Sequence, residues 1–475
     1  MYNLLEKGYV IVPKFSIVKH FQKEKFIMAN ENKGTLGFMD LMSIAVGQII
    51  GAGVMVMSIS ALGMTGRSVN IAFMIAAVFT LFSTIPTIFV ASVARFNGGV
   101  YAQYAVFVHP IFAGFMQYTS LLSSVSLGMF GLGLVSYLGR LFPVFNENQN
   151  IWACVIMTAF FILNYFGTAW MAKVQGFMFY FLVAALVLFT VMGLPKANIG
   201  TYFGNELFGQ PLLAHGVSGL VEAASYLTYA TGGATVILAF SAEAKNPTKD
   251  IPVVIIIATV SVAFLYALLA TVIGGVLPAD EVIAIGNLAP IAELIMPKAL
   301  YYFFIIGGAG FALGTTLNSS IASTFPPMLR AAQDGWFPGI LSKTNKYGVP
   351  VVWMGLRWAM NMAVLLSGFD TNTLGKWTLV IGNVTSFVTI GSVIRIDKLF
   401  PEQWAKSPYH VSNPVKALLL GLALTTQAIQ TSMNLKGLSM GVIGLNVAAF
   451  AFFAGIATYL YKTGKVHMNP SFELM

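Results

Sequence analysis

Glycine residues interrupt two apolar stretches of this 475-residue sequence at comparable depth. The first interruption is Gly51-Ala52-Gly53 and the second is Gly232-Gly233. A helix in hydrocarbon keeps its backbone groups paired within itself, so a break is tolerated only where the freed NH and CO groups face a protected cavity. Two such breaks, placed in different parts of the chain, indicate a binding site between discontinuous membrane helices.

The broken backbone could itself bind a ligand with two opposite charges. NH groups after a break form a fresh helix N-terminus, which favours an anion by ~0.3–2 kcal/mol. Carbonyl groups before the break attract a cation. A zwitterionic amino acid matches this pair of dipoles without any charged side chain. For the first break, an alternative is that Gly51 and Gly53 form a small-residue surface for close helix packing.

A group of polar residues apart from the two breaks could hold a hard cation. Thr315, Asn318 and Ser319 are spaced i, i+3 and i+4, which places them on one helix face. Together with the carbonyl groups of Gly47 and Ile50, their oxygen atoms are suitable ligands for sodium. The alternative is that these side chains only form hydrogen bonds between helices. No other cofactor is expected.

The positions of the acidic residues and histidines limit the possible functions of the protein. None of the 17 acidic residues falls at the centre of a predicted membrane span, and the five histidines lie outside spans or at their edges. The sequence therefore offers no obvious proton carrier, no carboxylate for a cationic substrate and no catalytic constellation. An enzyme is not expected, and a neutral amino acid is the favoured ligand.

Composition requires an all-α polytopic membrane protein. The chain is 57% hydrophobic and 9% charged, against roughly 25% charged in soluble domains. Apolar runs close to the ~20 residues that cross a bilayer recur throughout. We predict twelve transmembrane helices, at 38–62, 69–93, 108–138, 150–169, 174–195, 218–241, 252–277, 300–326, 349–368, 374–394, 413–431 and 438–461.

The basic residues predict the orientation of these spans. If the N-terminus is cytoplasmic, 20 of the 26 Lys and Arg residues lie on the cytoplasmic side and six on the other. This bias predicts a multi-pass protein with both termini in the cytoplasm. It also explains the net charge of +9 without nucleic acid, so lipid is the expected surrounding. No cleavable signal peptide is expected, and Met28 is a plausible alternative start, which leaves it open whether residues 1–27 belong to the native protein.

The two breaks lie 181 residues apart, in the first and sixth predicted spans. This spacing favours a five-plus-five inverted repeat, in which spans one to five and six to ten are related by inversion. We therefore expect a cytoplasmic segment at 1–36, a transporter core at 37–395, and two additional spans with a cytoplasmic tail at 396–475.

Four motifs resemble the amino acid–polyamine–organocation (APC) superfamily of amino-acid permeases. The first is Gly47-Gln48-Ile49-Ile50-Gly51-Ala52-Gly53, and the second joins Tyr229-Ala230-Thr231-Gly232-Gly233 to Glu243-Ala244-Lys245-Asn246-Pro247. The third is Ala332-Gln333-Asp334-Gly335-Trp336-Phe337-Pro338, which closes at Gly348-Val349-Pro350, and the weaker fourth is Gly98-Gly99-Val100-Tyr101. Together they extend over residues 47–350.

The resemblance implies a role for each matching position. Backbone NH groups of Gly51, Ala52 and Gly53 would bind a substrate carboxylate. A second set, comprising carbonyl groups beside the two breaks, would bind the substrate ammonium: Ile49, Ile50, Tyr229, Ala230 and Thr231. Gly232 and Gly233 would form the second break, and Tyr229 would be an aromatic gate, although a buried core tyrosine is the alternative.

One departure from the family affects the expected coupling. Several relatives carry a lysine deep in the fifth span in place of a sodium ion, and the corresponding residue here is Leu182. The sequence therefore favours a secondary active transporter of neutral amino acids in the plasma membrane, coupled to sodium. The alternatives are an obligate exchanger and a carrier of cationic amino acids or amines. A channel or a nutrient sensor on the same fold is less favoured.

Overall fold

A computed structural model describes most of the chain. The described residues are 10–12, 16–18, 34–51, 53–123, 127–204, 206–285, 288–367, 386–436, 440–468 and 472–474.

Helices make up nearly all of the described structure. The helices up to the second break are α1 (Phe38–Ile49), α2 (Ser58–Thr65), α3 (Val69–Ala91), α4 (Val100–Phe107), α5 (Pro110–Ser123), α6 (Gly128–Leu138), α7 (Gln149–Asn164), α8 (Thr168–Gly193), α9 (Ile199–Tyr202) and α10 (Gly216–Thr231). Those that follow are α11 (Pro247–Val276), α12 (Ala279–Ile285), α13 (Ala289–Ile295), α14 (Lys298–Phe303), α15 (Phe311–Ala322), α16 (Phe325–Gln333), α17 (Val351–Ser367), α18 (386–392), α19 (Ile396–Leu399), α20 (Pro401–Lys406), α21 (Asn413–Lys436) and α22 (Met440–Lys462).

Strands are short and lie at the margins. Val10–Val12 (β1) pairs with Ser16–Val18 (β2), within the predicted cytoplasmic segment at 1–36. Ala94–Phe96 (β3) pairs with Phe472–Leu474 (β6). Glu206–Leu207 (β4) pairs with Gln210–Pro211 (β5).

The helices follow the predicted spans, and the fold is that of an all-α polytopic membrane protein. Within the described ranges, six helical segments are long and apolar enough to cross a membrane: Ser58–Ala91, Thr168–Lys196, Gly216–Phe240, Pro247–Val276, Lys298–Gln333 and Ile443–Lys462. The predicted spans at 150–169, 349–368 and 413–431 each correspond to one helix, α7, α17 and α21, whereas a break divides the first predicted span into α1 and α2. Of the tenth predicted span, 374–385 lies outside the described residues, and α18 occupies part of the remainder.

Both predicted breaks are present. In the first span, α1 ends at Ile49 and a short π-helix, Gly53–Met57, leads into α2. In the sixth span, α10 ends at Thr231 and a 3₁₀ helix, Ala234–Phe240, follows. Gly233 between them has φ +117°, a conformation that side chains with a Cβ rarely adopt. Glycine is therefore required for the geometry of the second break.

Hydrogen bonds join three segments at one end of the bundle, which we call the α1 face because α1 begins there. Leu36 N donates to Glu243 O at 3.0 Å, and Lys245 N donates to Leu36 O at 2.9 Å. Arg95 Nη2 donates to Ala244 O at 3.2 Å. These contacts join the start of the first span, the end of the sixth, and the β3 segment between the second and third.

Candidate functional site

A cavity of about 330 Å³ lies where the two broken spans meet. It is bounded by backbone and side chains from the first, sixth, eighth and eleventh predicted spans, with contributions from α6 and α18. Its lining residues are Gln48, Ile49, Gly51, Gly53, Phe130, Ser225, Tyr226, Thr228, Tyr229, Gly232, Gly233, Thr316, Ser386, Gln427 and Gln430. None of them is charged.

The structure brings most of the predicted substrate residues to this cavity. Those that line it are Ile49, Gly51, Gly53, Tyr229, Gly232 and Gly233. Ile50, Ala230 and Thr231 are buried and are not among its lining residues. The Thr231 hydroxyl instead pairs with the Thr80 hydroxyl at 2.6 Å. Ala52 lies outside the described residues.

At the first break, the carbonyl of Ile49 is the central acceptor. Ile50 N still donates to Val46 O at 2.7 Å, as in a continuous helix. The next amide, Gly51 N, turns to Ile49 O at 3.0 Å. The hydroxyl of Tyr266 on α11 donates to the same oxygen at 3.2 Å. A freed carbonyl in the protein interior is thus satisfied by a neighbouring helix, as buried polar groups require.

The glycines of the first break also allow close packing. A Cβ on Gly51 would lie 2.4 Å from Thr316 Oγ1 on α15. A Cβ on Gly53 would lie 2.8 Å from Ala230 Cα on α10. The same residues line the cavity, so the two interpretations of these glycines describe compatible aspects of one arrangement.

At the second break, the backbone approaches the first span closely. Gly232 N donates to Thr228 O at 2.9 Å and ends α10, and Val236 N donates to Gly233 O at 3.0 Å in the next turn. A Cβ on Gly233 would meet Gln48 Cγ at 3.1 Å and Gln48 O at 3.2 Å. The carboxyl end of α10 and the amino end of the following helix therefore both lie at the cavity.

Tyr229 is placed at the cavity rather than in the packed core. Its side chain is 47% exposed, whereas its neighbours Thr228 and Ala230 are buried. An aromatic side chain with this exposure has room to change rotamer without disrupting helix packing. Tyr229 therefore lies where a gating side chain would be needed, and its role as a gate stays a prediction.

The residues predicted to bind sodium already form hydrogen bonds. Thr315 Oγ1 donates to Phe311 O at 2.7 Å within its own helix. Ser319 Oγ donates to Gln48 Oε1 at 2.6 Å and so joins the eighth span to the first. The carbonyl of Gly47, another predicted ligand, accepts from Thr316 Oγ1 at 3.0 Å. Each of these oxygens retains a lone pair with which it could bind a cation.

Asn318 is directed toward a different set of helices. Its Oδ1 accepts from Asn164 Nδ2 on α7 at 2.9 Å, and its Nδ2 donates to Gln175 Oε1 on α8 at 2.8 Å. Gln175 Nε2 in turn donates to Thr315 O at 3.2 Å. The Asn318 carboxamide thus connects α15 to α7 and α8, as the packing alternative expected, while Leu182 is fully buried on α8.

Several cavity residues were missed by the sequence reasoning. Gln48 is next to Ile49 and Thr316 is next to Thr315, both of which were predicted to be site residues. The sequence spacing alone did not show which of the adjacent side chains would face the cavity. Gln427 and Gln430 form an i, i+3 pair of amides within the apolar eleventh span. Such a pair is a signal of a polar face, but the eleventh span was treated as an addition to the core.

The lining of this cavity includes no histidine, cysteine or acidic residue. No group of three or more His, Cys, Asp or Glu residues in the part of the chain that the structure describes could bind a metal ion. With uncharged lining and two helix breaks, the cavity can recognise a ligand by backbone dipoles and hydrogen bonds.

Comparison with known proteins identifies relatives for almost the whole chain. Residues 36–466 match the family model described as amino acid permease. The chain is 26% identical over 393 residues to the branched-chain amino acid permease BcaP of Bacillus subtilis, which covers 78% of this chain and 82% of that protein.

Two further relatives differ in their named substrates. The chloroplastic cationic amino acid transporter 7 of Arabidopsis thaliana is 25% identical over 450 residues, covering 84% of this chain and 75% of that protein. The cadaverine/lysine antiporter of Escherichia coli K12 is 22% identical over 222 residues, covering 46% of this chain and 49% of that protein. These relatives are transporters rather than enzymes. The protein is a multi-pass membrane protein that belongs to the amino acid permease family, within the APC superfamily, and its substrate is a small amino-acid molecule.

Proposed function

We propose that the protein carries a neutral amino acid across the plasma membrane by alternating access, with both termini cytoplasmic. The observation that carries this proposal is the cavity between the two broken spans, none of whose lining residues is charged. A cationic substrate would bring an extra charge into this cavity without a carboxylate to pair with it, which is costly inside a membrane. The zwitterionic group common to all amino acids is matched by the helix dipoles alone.

The binding mode follows from the two breaks. The substrate carboxylate would lie at the NH groups of Gly51, Ala52 and Gly53, and the ammonium at the carbonyl groups of Ile49 and Tyr229. On binding, the Gly51 amide would exchange its hydrogen bond to Ile49 O for one to the carboxylate, which would free a lone pair of Ile49 O for the ammonium. Ile50, Ala230 and Thr231 would contribute backbone groups only, because their side chains are buried. Gly232 and Gly233 would let the substrate approach the backbone without obstruction.

Alternating access requires that the binding cavity is closed on one side of the membrane while the other side can open. Hydrogen bonds among Leu36, Glu243 and Lys245 close the α1 face, which we propose to be the cytoplasmic side. Tyr229, half exposed at the cavity, would gate the opposite side. Spans one to five and six to ten would be the inverted halves that move relative to each other. A binding cavity between two broken spans favours a carrier over a channel, because the opposed helix dipoles suit a binding site better than a continuous pore.

Sodium is our proposed coupling ion. The carbonyl groups of Gly47 and Ile50 and the hydroxyls of Thr315 and Ser319 would hold it, with Asn318 supporting the helices around it. Obligate exchange of amino acids is the alternative, in which these oxygens serve helix packing only.

Uptake into proteoliposomes tests the proposed function. Purified protein would be reconstituted into empty vesicles or vesicles loaded with an unlabelled amino acid mixture, and uptake of labelled amino acids would be measured. We expect saturable uptake of a neutral amino acid, faster than that of lysine or cadaverine. Vesicles with a Gly53→Val variant, which cannot pack against Ala230, provide the inactive control. Uptake of lysine faster than that of any neutral amino acid would contradict the proposal. Absence of uptake of every amino acid under all conditions would also contradict it.

A further inference from the structure

An arginine is buried in the ninth span, close to the eighth. Arg357 lies on α17, six residues or ~9 Å of helix after Val351, where α17 begins. Only 3% of its surface is exposed. No carboxylate among the described residues forms an ion pair with it. Ionisable residues inside a membrane bundle are costly and mark functional sites.

The guanidinium group of Arg357 caps the end of α15. Its Nη1 donates to Ser320 O at 2.8 Å, to Ile321 O at 3.1 Å and to Thr324 Oγ1 at 3.0 Å. α15 ends at Ala322, and the last four carbonyl groups of a helix have no partner within it. An uncharged amide could donate such bonds with a smaller desolvation cost. The hydrogen bonds therefore explain why a donor lies here, but not why it carries a positive charge.

Ser320 connects Arg357 to the substrate cavity. Its hydroxyl donates to Gln48 Oε1 at 3.2 Å, and Gln48 lines the cavity. The two oxygens of one serine are at most about 4.5 Å apart, so Arg357 Nη1 lies within about 10 Å of Gln48 Oε1. A ligand beside Gln48 would therefore be about 10–15 Å from a positive charge that no described carboxylate neutralises.

We propose that Arg357 determines the charge selectivity of the cavity: without touching the substrate, it excludes amino acids with cationic side chains. This inference rests on the proposed function, which places the substrate in this cavity. Between two unit charges ~12 Å apart, with an effective dielectric constant of about 20, the interaction changes affinity about tenfold. The zwitterionic group has no net charge, so the charge of the side chain decides the sign of the effect.

The same field would act on the proposed sodium ion. Ser319 is adjacent to Ser320, so a cation bound there would also be weakened by Arg357. Weak binding of sodium is compatible with its release after transport. Measurements of substrate selectivity therefore need equal and constant sodium on both sides of the membrane.

Competition for uptake tests the charge of Arg357. Proteoliposomes with the full-length protein would take up the labelled neutral amino acid that the wild-type protein carries fastest, in the presence of unlabelled lysine or glutamate. In Arg357→Gln, the inhibition constant of lysine should fall about tenfold and that of glutamate should rise about tenfold, relative to the unlabelled neutral amino acid. Opposite shifts are expected from a lost charge, and a purely structural defect would not produce them.

Two further variants separate charge from geometry. Arg357→Lys keeps the positive charge and should keep the wild-type ratio of the two inhibition constants. Arg395→Gln is the matched control, because Arg395 also donates to a carbonyl group, Phe107 O at 2.9 Å, but is exposed, so that solvent screens its charge. It should leave the ratio unchanged.

A neutralising substitution covers the case in which Arg357→Gln does not fold. Asn361 lies one turn after Arg357 on α17 and its Nδ2 donates to Arg357 O at 2.9 Å. In Asn361→Asp, a carboxylate at i+4 would pair with the guanidinium and cancel its field. The inhibition constants of lysine and glutamate should shift in the same directions as in Arg357→Gln.

The outcomes separate this inference from the proposed function. If the wild-type protein takes up no amino acid, the proposed function fails and the inference fails with it. If uptake continues while the ratio is unchanged in folded Arg357→Gln or Asn361→Asp protein, the inference is overturned and the proposed function stands. An equal change of the ratio in Arg357→Lys and Arg357→Gln would also overturn it, because the geometry of the guanidinium and not its charge would then matter.

Discussion

The hydroxyl of Tyr266 on α11 donates a hydrogen bond of 3.2 Å to the carbonyl oxygen of Ile49, at the point where α1 ends. Tyr266 is fully buried. A residue of the seventh span thus stabilises a backbone group that the break in the first span leaves without its helical partner. This contact shows how a discontinuous helix is accommodated inside the bundle.

Replacement of Tyr266 by phenylalanine should destabilise the protein without changing its fold. The Ile49 carbonyl would keep only the Gly51 amide as a donor, and loss of one partner of a buried hydrogen bond costs about 1–3 kcal/mol. Thermal unfolding in detergent measures the effect, with Tyr180→Phe, at a side chain that is 60% exposed, as the control. Equal melting temperatures for Tyr266→Phe and the wild-type protein would show that the hydrogen bond contributes nothing.

Much of the fold could be predicted from the sequence, because hydrophobic runs and glycines determine where membrane helices begin and break. The seventh span was predicted at 252–277 and is observed at Pro247–Val276. It begins earlier because proline is well suited to the first turn of a helix. The third span was predicted to begin at 108; α4 ends just before it at Phe107 and α5 begins at Pro110, since a residue that precedes proline avoids the helical conformation.

The candidate site could be predicted only in part. The break residues were found because glycine has a local signature. The sequence did not predict which neighbouring helices the side chains of Thr315, Asn318 and Ser319 contact. Successive residues of a helix differ by about 100° around its axis, so these three share a face only approximately. Ser319 reaches the first span, whereas Asn318 reaches α7 and α8. Which neighbour each side chain meets depends on the packing of helices that are distant in sequence.

Addition of a side chain at Gly53 should abolish transport. The Cβ of Gly53→Ala would lie 2.8 Å from Ala230 Cα, so the segments after the first break and before the second would have to separate. Gly53→Val should likewise abolish transport while the protein remains folded in detergent. Gly355→Ala is the matched control, because its Cβ would meet no atom within 4 Å. Wild-type uptake by Gly53→Val at normal expression would show that neither close packing nor substrate access at this residue matters.

Truncation of Tyr229 should harm translocation more than binding. The side chain is 47% exposed at the cavity and contributes little to the core. Tyr229→Ala should therefore keep its substrate-induced increase in melting temperature and lose most of its exchange activity. The control is Tyr180→Ala, which removes an exposed tyrosine from α8. Equal losses of binding and exchange in Tyr229→Ala would recast this tyrosine as a structural residue.

The stability of the α1 face should depend on pH through Glu243. Burial raises the pKa of Glu243 from its ordinary value of 4.5 to about 7, and its Oε2 has no hydrogen-bond partner among the described residues. Arg95 in β3 lies close in the fold, because its guanidinium donates to the carbonyl groups of Ala244 and Lys245. Because the folded protein binds this proton more tightly than the unfolded chain, the stabilisation is complete below the ordinary pKa and is lost as pH rises through about 7.

Melting temperatures between about pH 5 and pH 8 test this pH dependence. Wild-type protein should become less stable over this interval, and Glu243→Gln, which mimics the protonated form, should lose much of that slope. Glu222→Gln, at an exposed position on α10, should retain the wild-type slope. Identical slopes in Glu243→Gln and the wild-type protein would assign the pH dependence to other groups.

The coupling ion is tested by Ser319, whose hydroxyl donates to Gln48 Oε1 at 2.6 Å and lies among the proposed sodium ligands. Hard cations prefer oxygen ligands, and a membrane potential adds ~2.3 kcal/mol per 100 mV for each charge moved. Uptake into empty proteoliposomes should therefore rise with an inward sodium gradient, and Ser319→Ala should lower the sodium response. Ser136→Ala, at an exposed serine bonded only within its own helix, should leave it unchanged. Uptake that ignores sodium but requires internal amino acid would exclude symport and establish exchange, because the oxygens around Ser319 would then serve only to hold the first and eighth spans together.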